Sequence, residues 1–370
     1  MQFEISKSSL VKALASVNGA VEKKNTIPIL LNVRIEAKDG KLSFTATDMD
    51  IVVVSLAVAL IKKEGVTTIP AQLFYDIVRK IPDGANISVE LQKAGNSIKI
   101  KYDKSKFSLP CIDPADFPVL SEGDMSIHFA VKSSDLMKVI DKTRFAISND
   151  ETRYYLNGMF FHITQLGSNA EFRGVATDGH RLALSSFMIN DLKTSVPSII
   201  IPKKAIHEIR RIIEGSEKVE IFLSKTKIKV ACGDSIIISK LIDGEFPEYD
   251  KVVPKNNHQI IKVNKKVIFD AIDRVSTIAN DKHRSIKFIL EDNKILLQVN
   301  TADGGFADEE IDVDFKGERI EAGFNSRYLL EIINQINGEQ INFKFKDGIS
   351  PALLDCDDGD SLYVIMPVRI

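Results

Sequence analysis

The sequence predicts an α+β protein of three repeated domains, each with two amphipathic helices lying on antiparallel sheet. Three observations lead there. A pair of helical motifs returns about every 130 residues, runs of alternating polar and apolar residues fill the intervals, and Asp-Gly pairs stand where such runs would turn back.

The first helical motif, KSSLVKAL at 7–14, is echoed by KSSDLMKVI at 132–140 and more loosely by NKKVIFDAI at 264–272. The second, IPAQLFYDIVRKIPDG from 69, returns as IPKKAIHEIRRIIEG from 201 and as FNSRYLLEIINQING from 324. Between them lie VRIEAKDGKLSFTATD, FFHITQLGSNAEFRGVATDGHR and IKFILEDNKILLQVNTAD, whose alternation predicts half-buried antiparallel strands. Asp39-Gly40, Asp178-Gly179, Asp243-Gly244 and Asp303-Gly304 are expected to supply tight hairpin turns, and Asn157-Gly158 a further one. More strands follow each second helix. The similar segments FSLPCIDPADFPVL and ISKLIDGEFPEYDKVVP close the first two repeats, so domains over 1–124, 125–256 and 257–370 are expected.

Composition narrows the function. Hydrophobic residues make up 44% and charged residues 27% of the 370-residue chain, an ordinary globular balance without a long disordered arm. No apolar run approaches the roughly 20 residues needed to span a bilayer, and residues 1–10 alternate instead of forming a signal-peptide pattern, so a cytoplasmic location and no membrane partner are expected. Cys111, Cys232 and Cys356 are far apart and include no C-x-x-C pair, which predicts neither a disulfide framework nor a metal site. No cofactor is expected.

Charge is unevenly placed. The six helical windows (6–18, 71–81, 132–145, 203–214, 264–276 and 325–337) total +8, whereas the whole chain carries −2. In the fourth window Lys203, His207, Arg210 and Arg211 recur at helical spacing opposite Ile206, Ile209, Ile212 and Ile213. One basic helix face is usually just a solvated surface. Five net-positive windows point instead to a shared surface that attracts phosphates without reading sequence.

RYYLNGM at 153–159, ATDGHRLA at 176–183, EFPEY at 245–249 and the terminal MPVRI together resemble the bacterial β sliding clamps, the β subunits of DNA polymerase III, along the whole chain. The resemblance implies a DNA clamp fold closing into a ring as a head-to-tail homodimer. Such a ring would be a non-enzymatic processivity factor that encircles double-stranded DNA. It would tether the DNA polymerase III catalytic subunit, the clamp loader, other polymerases and repair proteins by short peptide motifs.

Carried onto this chain, the resemblance implies a peptide-binding pocket of Leu156, Thr177, Gly179, His180, Arg181, Leu182, Pro247, Val252, Asn325, Tyr328, Val364, Met366, Pro367, Val368 and Arg369. Leu156, Leu182, Val364 and Met366 would form apolar walls, with His180, Arg181 and Arg369 hydrogen-bonding the peptide backbone. The same resemblance implies DNA contacts at Lys24, Arg153, Tyr154, Tyr155, Lys203 and Lys204, and a dimer interface at Phe107, Leu109, Thr277 and Ile278. Lys251 stands where the family often has arginine and Val368 where a methionine can gate the groove, departures that bear on motif preference.

Two other readings differ in what they require. A nuclease built on Asp178 and His180 would need a metal or a partner carboxylate, yet D-G-H in a strand connection is first a turn. A scaffold that binds proteins but not DNA would share fold and pocket, but has no reason to gather positive charge on helices.

Overall fold

The computed structural model describes residues 1–370 except 23–25, 93–95, 119, 120, 122, 167, 168, 191, 193, 194, 280–283, 357, 358, 360 and 370. Each of the six predicted windows contains a helix: α1 (Lys7–Asn18), α2 (Ala71–Lys80), α3 (Ser133–Thr143), α4 (Lys203–Ile212), α5 (Lys265–Ser276) and α6 (Ser326–Gln335).

Local sequence explains where these helices begin and which face they bury. The Ser6 hydroxyl accepts the Ser9 N–H at 3.2 Å and starts α1, whose Leu10, Ala13, Leu14 and Val17 form one buried stripe. Truncating Leu14 to alanine there would cost roughly 2–5 kcal/mol. The Asn264 side chain caps α5 through the Lys266 and Val267 amides, and Asn325 caps α6 through Tyr328. α1 packs on α2, and α5 on α6.

The chain packs as two compact units, Met1–Ser134 with Lys204–Leu241, and Asp135–Lys203 with Ile242–Ile370. Sheet pairing explains this division. Each repeat makes one set of strands between its helices and a second set from its first strand and its last three, which in the first repeat also takes in Leu60–Lys63.

In the first unit an eight-stranded sheet runs Ile127–Lys132, Lys218–Leu223, Lys227–Cys232, Ser235–Lys240, Ile51–Val58, Lys41–Thr47, Asn32–Lys38, Gly65–Pro70. Its first four strands come from the middle repeat and its last four from the first, joined where Ile237 pairs with Val53. In the second unit another eight-stranded sheet runs Ile199–Pro202, Gly158–Leu166, Asn169–Thr177, Arg181–Asn190, Ser361–Ile365, Ala352–Asp355, Gln340–Phe345, Gln259–Asn264. Here the middle repeat meets the third, and Leu182 pairs with Val364. The two sets left over form smaller sheets. A five-stranded one ends at Ser105–Pro110, and a four-stranded one ends at Phe306–Asp312.

Three predicted turns form. Asp39 (φ 48°) and Gly40 (φ 74°) make a two-residue hairpin turn, while Gly179 (φ 86°) and Gly304 (φ 90°) serve longer ones. Two predicted turns do not form. Gly158 opens a strand beside Ile199–Pro202, where an added Cβ would lie 2.4 Å from the Ile201 carbonyl oxygen, so Asn157-Gly158 answers to close strand approach. Asp243-Gly244 lies in an irregular segment, and a Cβ on Gly244 would meet the Tyr155 Cβ at 3.1 Å. Both glycines are there for space, not for a left-handed turn.

Candidate functional site

The site centres on the turn between strands Asn169–Thr177 and Arg181–Asn190. The Asp178 carboxylate accepts the His180 and Arg181 amides at 2.9 and 3.1 Å, and the Thr177 hydroxyl donates to the Arg181 carbonyl at 2.6 Å while accepting the Gly179 amide at 3.1 Å. These bonds replace the missing strand ladder. Below the turn, Arg153 donates to the Asp178 carbonyl at 3.0 Å and pairs with Asp150 at 2.9 Å. A Cβ at position 179 would stand 2.5 Å from the Arg153 guanidinium, which with the positive φ accounts for glycine there. Hydrogen bonds from Thr152 and Arg153 hold the Asp150 carboxyl down to about 2.

Arg181 is largely engaged within the chain. Its side chain is only 7% exposed, and each guanidinium nitrogen already donates within the chain: Nε to Asp178 at 3.2 Å, one terminal nitrogen to Glu331, the other to the Phe145 carbonyl at 2.9 Å. Its guanidinium also stacks 4.3 Å from the Tyr328 ring centre. So placed, it braces the turn against α6 and the Phe145 carbonyl. His180 remains exposed, its ring stacked at 6.2 Å on Tyr328, and Arg369 is exposed as well.

The other predicted pocket residues gather around this brace. Leu156, Leu182 and Val364 are buried, with Leu182 and Val364 in one apolar cluster with Val175 and Tyr249. Pro247 and Val252 flank Tyr249 and are exposed. Met366, Pro367 and Val368 are half-buried, the first bonded through its amide to the His180 carbonyl and the last through its amide to Gly323, each at 2.8 Å. Asn325 serves as the cap that orients Tyr328. Sequence reasoning missed Phe145, Glu331 and Tyr249; Glu331 lies one turn from Tyr328 on α6, a spacing that could have flagged it.

The remaining predicted residues are dispersed. Lys24 lies outside the described residues. Tyr154 is 54% exposed and meets Tyr155 edge to face. Lys203 donates to Asn149 at 2.7 Å, its pKa lowered by partial burial, while Lys204 pairs with Asp48 and Glu22. Phe107 and Ile278 are 37% and 38% exposed and Thr277 is exposed, but Leu109 is 5% exposed and already spent in its own sheet's core. On α4, Glu208 is buried, draws Arg211 inward and has its pKa raised by that burial.

The same turn occurs a second time. Thr47 donates to the Ile51 carbonyl at 2.7 Å and accepts the Met49 amide at 3.0 Å, and Asp48 accepts the Asp50 and Ile51 amides at 2.9 and 2.8 Å. Met49 (φ 79°) stands in the place of Gly179, and the Lys240 amide bonds the Asp50 carbonyl as Met366 bonds His180. Both turns sit where two repeats share a sheet. Only one carries an arginine in the position of Arg181.

Among the described residues no group of three or more His, Cys, Asp or Glu side chains could hold a metal ion. No helix among them is long and apolar enough to cross a membrane.

The N-terminal, central and C-terminal domain families of the DNA polymerase III beta subunit match residues 1–121, 130–248 and 250–369. Over the full length of both chains, the sequence is 42% identical to a beta sliding clamp of Caulobacter vibrioides and 34% identical to that of Escherichia coli K12. A solved sliding clamp from Bartonella birtlesii, a DNA polymerase III subunit beta, superposes with a TM-score of 0.96 at 40% identity, each chain covered completely. With three domain families in order and full-length relatives above 30% identity, the chain belongs to the DNA polymerase III beta subunit family, the beta sliding clamps.

Proposed function

We propose that the chain is a non-catalytic replication processivity subunit, two copies of which close head to tail into a ring around duplex DNA. The observation that carries this reading is the pair of unused sheet edges. Inside the chain, the last strand of the middle repeat pairs with the third inter-helix strand of the first, and the last strand of the third repeat pairs likewise with the middle one. The strands left without that partner are Ser105–Pro110, the last of the first repeat, and Phe306–Asp312, the corresponding inter-helix strand of the third. A second copy supplies the missing pairing in both directions, which is the heterologous contact that closes a ring.

Charge favours this match. Lys104 and Lys106 are exposed at one edge, and Asp308, Glu310 and Asp312 at the other. Phe107, Thr277 and Ile278 lie in this contact, with three domains over 1–124, 125–256 and 257–370 in each copy. Basic helices then attract phosphates without base contacts, as sliding requires. Tyr154, Tyr155, Lys203 and Lys204, with Lys24, contact DNA, while Arg153 supports the turn above it.

Short peptides of the polymerase III catalytic subunit, the clamp loader, other polymerases and repair proteins dock in the cytoplasm at the pocket of Leu156, Leu182, Val364 and Met366. Pro247 and Val252 form its rim. The deciding experiment measures solution mass and retention on DNA. A species of twice 41.2 kDa, held on nicked circular DNA and lost when that DNA is linearised, is expected. A monomer, or equal retention on both forms, contradicts the ring.

A further inference from the structure

The rim of the proposed pocket hangs on one buried tyrosine. Tyr249 is 4% exposed, and its ring packs in the cluster that contains Leu182 and Val364. Its backbone carbonyl accepts the amides of Val252 and Val253 at 2.9 and 3.2 Å, so the segment bearing Pro247 and Val252 is tied to wherever Tyr249 sits. The phenol is held in turn. His162 Nε2 lies 2.7 Å from its oxygen and Arg173 Nη1 3.4 Å, while Glu171 grips Arg173 at 2.8 Å.

We propose that Tyr249 is a positioning residue of the peptide pocket, its ring backing Leu182 and Val364 and its hydroxyl clamped by His162 and Arg173 so that Pro247 and Val252 are held at the rim. The proposal rests on the pocket reading above.

Donor and acceptor roles give the clamp a direction. Arg173 can only donate, so it fills an acceptor position on the phenol oxygen and leaves the phenol hydrogen to be accepted by a neutral His162. The chain of bonds then runs from Arg173 to Tyr249 to His162 with each hydrogen used. Protonating His162 breaks it, because two donors would face one oxygen while the phenol hydrogen lost its acceptor. The charged groups around the imidazole are Arg173 and Glu171 on one strand and Asp250 beside Tyr249. Burial, followed by Arg173, lowers the histidine's pKa against the opposing pull of Asp250 and Glu171, which keeps His162 neutral at neutral pH.

The test titrates full-length protein with a fluorescein-labelled extended hexapeptide carrying leucine and phenylalanine anchors, between about pH 7.5 and 5.5. The wild-type protein should bind more weakly as pH falls. Tyr249→Phe keeps the ring and should bind about fivefold more weakly at neutral pH, the worth of one net hydrogen bond, with a flatter pH profile. His162→Gln retains an acceptor and should restore near wild-type affinity with the same flat profile. Val252→Asp at the rim should abolish binding with an unchanged melting curve, Tyr249→Phe should melt slightly lower through the lost hydrogen bond, and dimer mass should stay unchanged in all three variants. If Val252→Asp binds normally, the pocket reading fails. If Val252→Asp loses binding but Tyr249→Phe does not, or if His162→Gln keeps the pH dependence, the clamp alone is overturned.

Discussion

The Arg181 guanidinium carbon lies 4.3 Å from the centre of the Tyr328 ring, and the Phe145 ring centre is 4.9 Å from it. The same group pairs with Asp178 and Glu331, so one buried cation holds a turn, a helix and an aromatic wall together. Taking it away strips a buried cation from Asp178 and leaves Glu331 with its other pairing, to Arg327 at 2.9 Å.

Arg181→Met is therefore expected to cost about 3 kcal/mol of stability and to weaken peptide binding. Arg181→Lys should not restore it, because an ammonium cannot match the planar fork. Thermal unfolding and titration with the labelled hexapeptide check both statements. Unchanged affinity in Arg181→Met would return this residue to the periphery of the site.

The two copies of the turn respond oppositely to exchange of glycine. Met49 holds a left-handed backbone at a strain of about 1–2 kcal/mol, and glycine gives back about 0.4–1 kcal/mol through the unfolded chain. Met49→Gly should accordingly raise the melting temperature slightly, on the order of 0.5 kcal/mol in net effect. Gly179→Ala should lower it, because its Cβ also displaces Arg153 from the Asp178 carbonyl. A pair of melting curves is sufficient, and equal signs for the two changes would refute the equivalence.

Ile278→Asp places a charge in the proposed contact between copies and should give folded monomers of 41.2 kDa. Leu109→Asp, by contrast, buries its charge within a single chain and should unfold the first repeat. Sedimentation with circular dichroism separates these outcomes. A surviving Ile278→Asp dimer would move the interface elsewhere.

Acid should loosen the turn from below. The Asp150 carboxyl is held down to about 2, so its contribution is complete above the ordinary value near 3.9 and fades as pH falls toward 2. An NMR titration of the carboxyl should find a midpoint near 2 in wild-type protein and a higher one in Arg153→Gln. A wild-type midpoint near 4 would mean that the Thr152 and Arg153 hydrogen bonds do not persist in solution.

Periodicity was enough to find the six α-helices among the described residues, since stripes such as Leu10, Leu14 and Val17 have only one face to bury. It also located most strands. Turn chemistry was read less well, because Asn157-Gly158 and Gly244 are glycines of close approach, and dipeptide patterns do not separate crowding from a left-handed backbone. At the candidate site, the ATDGHRL motif points to the loop, but the internal bonds of Arg181 are not legible because their three acceptors, Asp178, Phe145 and Glu331, are scattered along the sequence. The burial of Leu109 within its own chain is likewise not legible from the resemblance that implies a contact between copies there. The repeat of A-T-D at 46–48 and 176–178 was visible in the sequence, but only matching hydrogen bonds make it a structural equivalence.

That the turn is built twice, once without its arginine brace, means that its shape is set by joining two strands and not by any ligand. A peptide arriving at residues 178–181 would therefore meet a preorganised surface. Little backbone entropy is left to lose there on binding, and the docked and empty forms should differ mainly in side-chain rotamers. Affinity differences among competing peptides should then appear chiefly in how fast each one leaves.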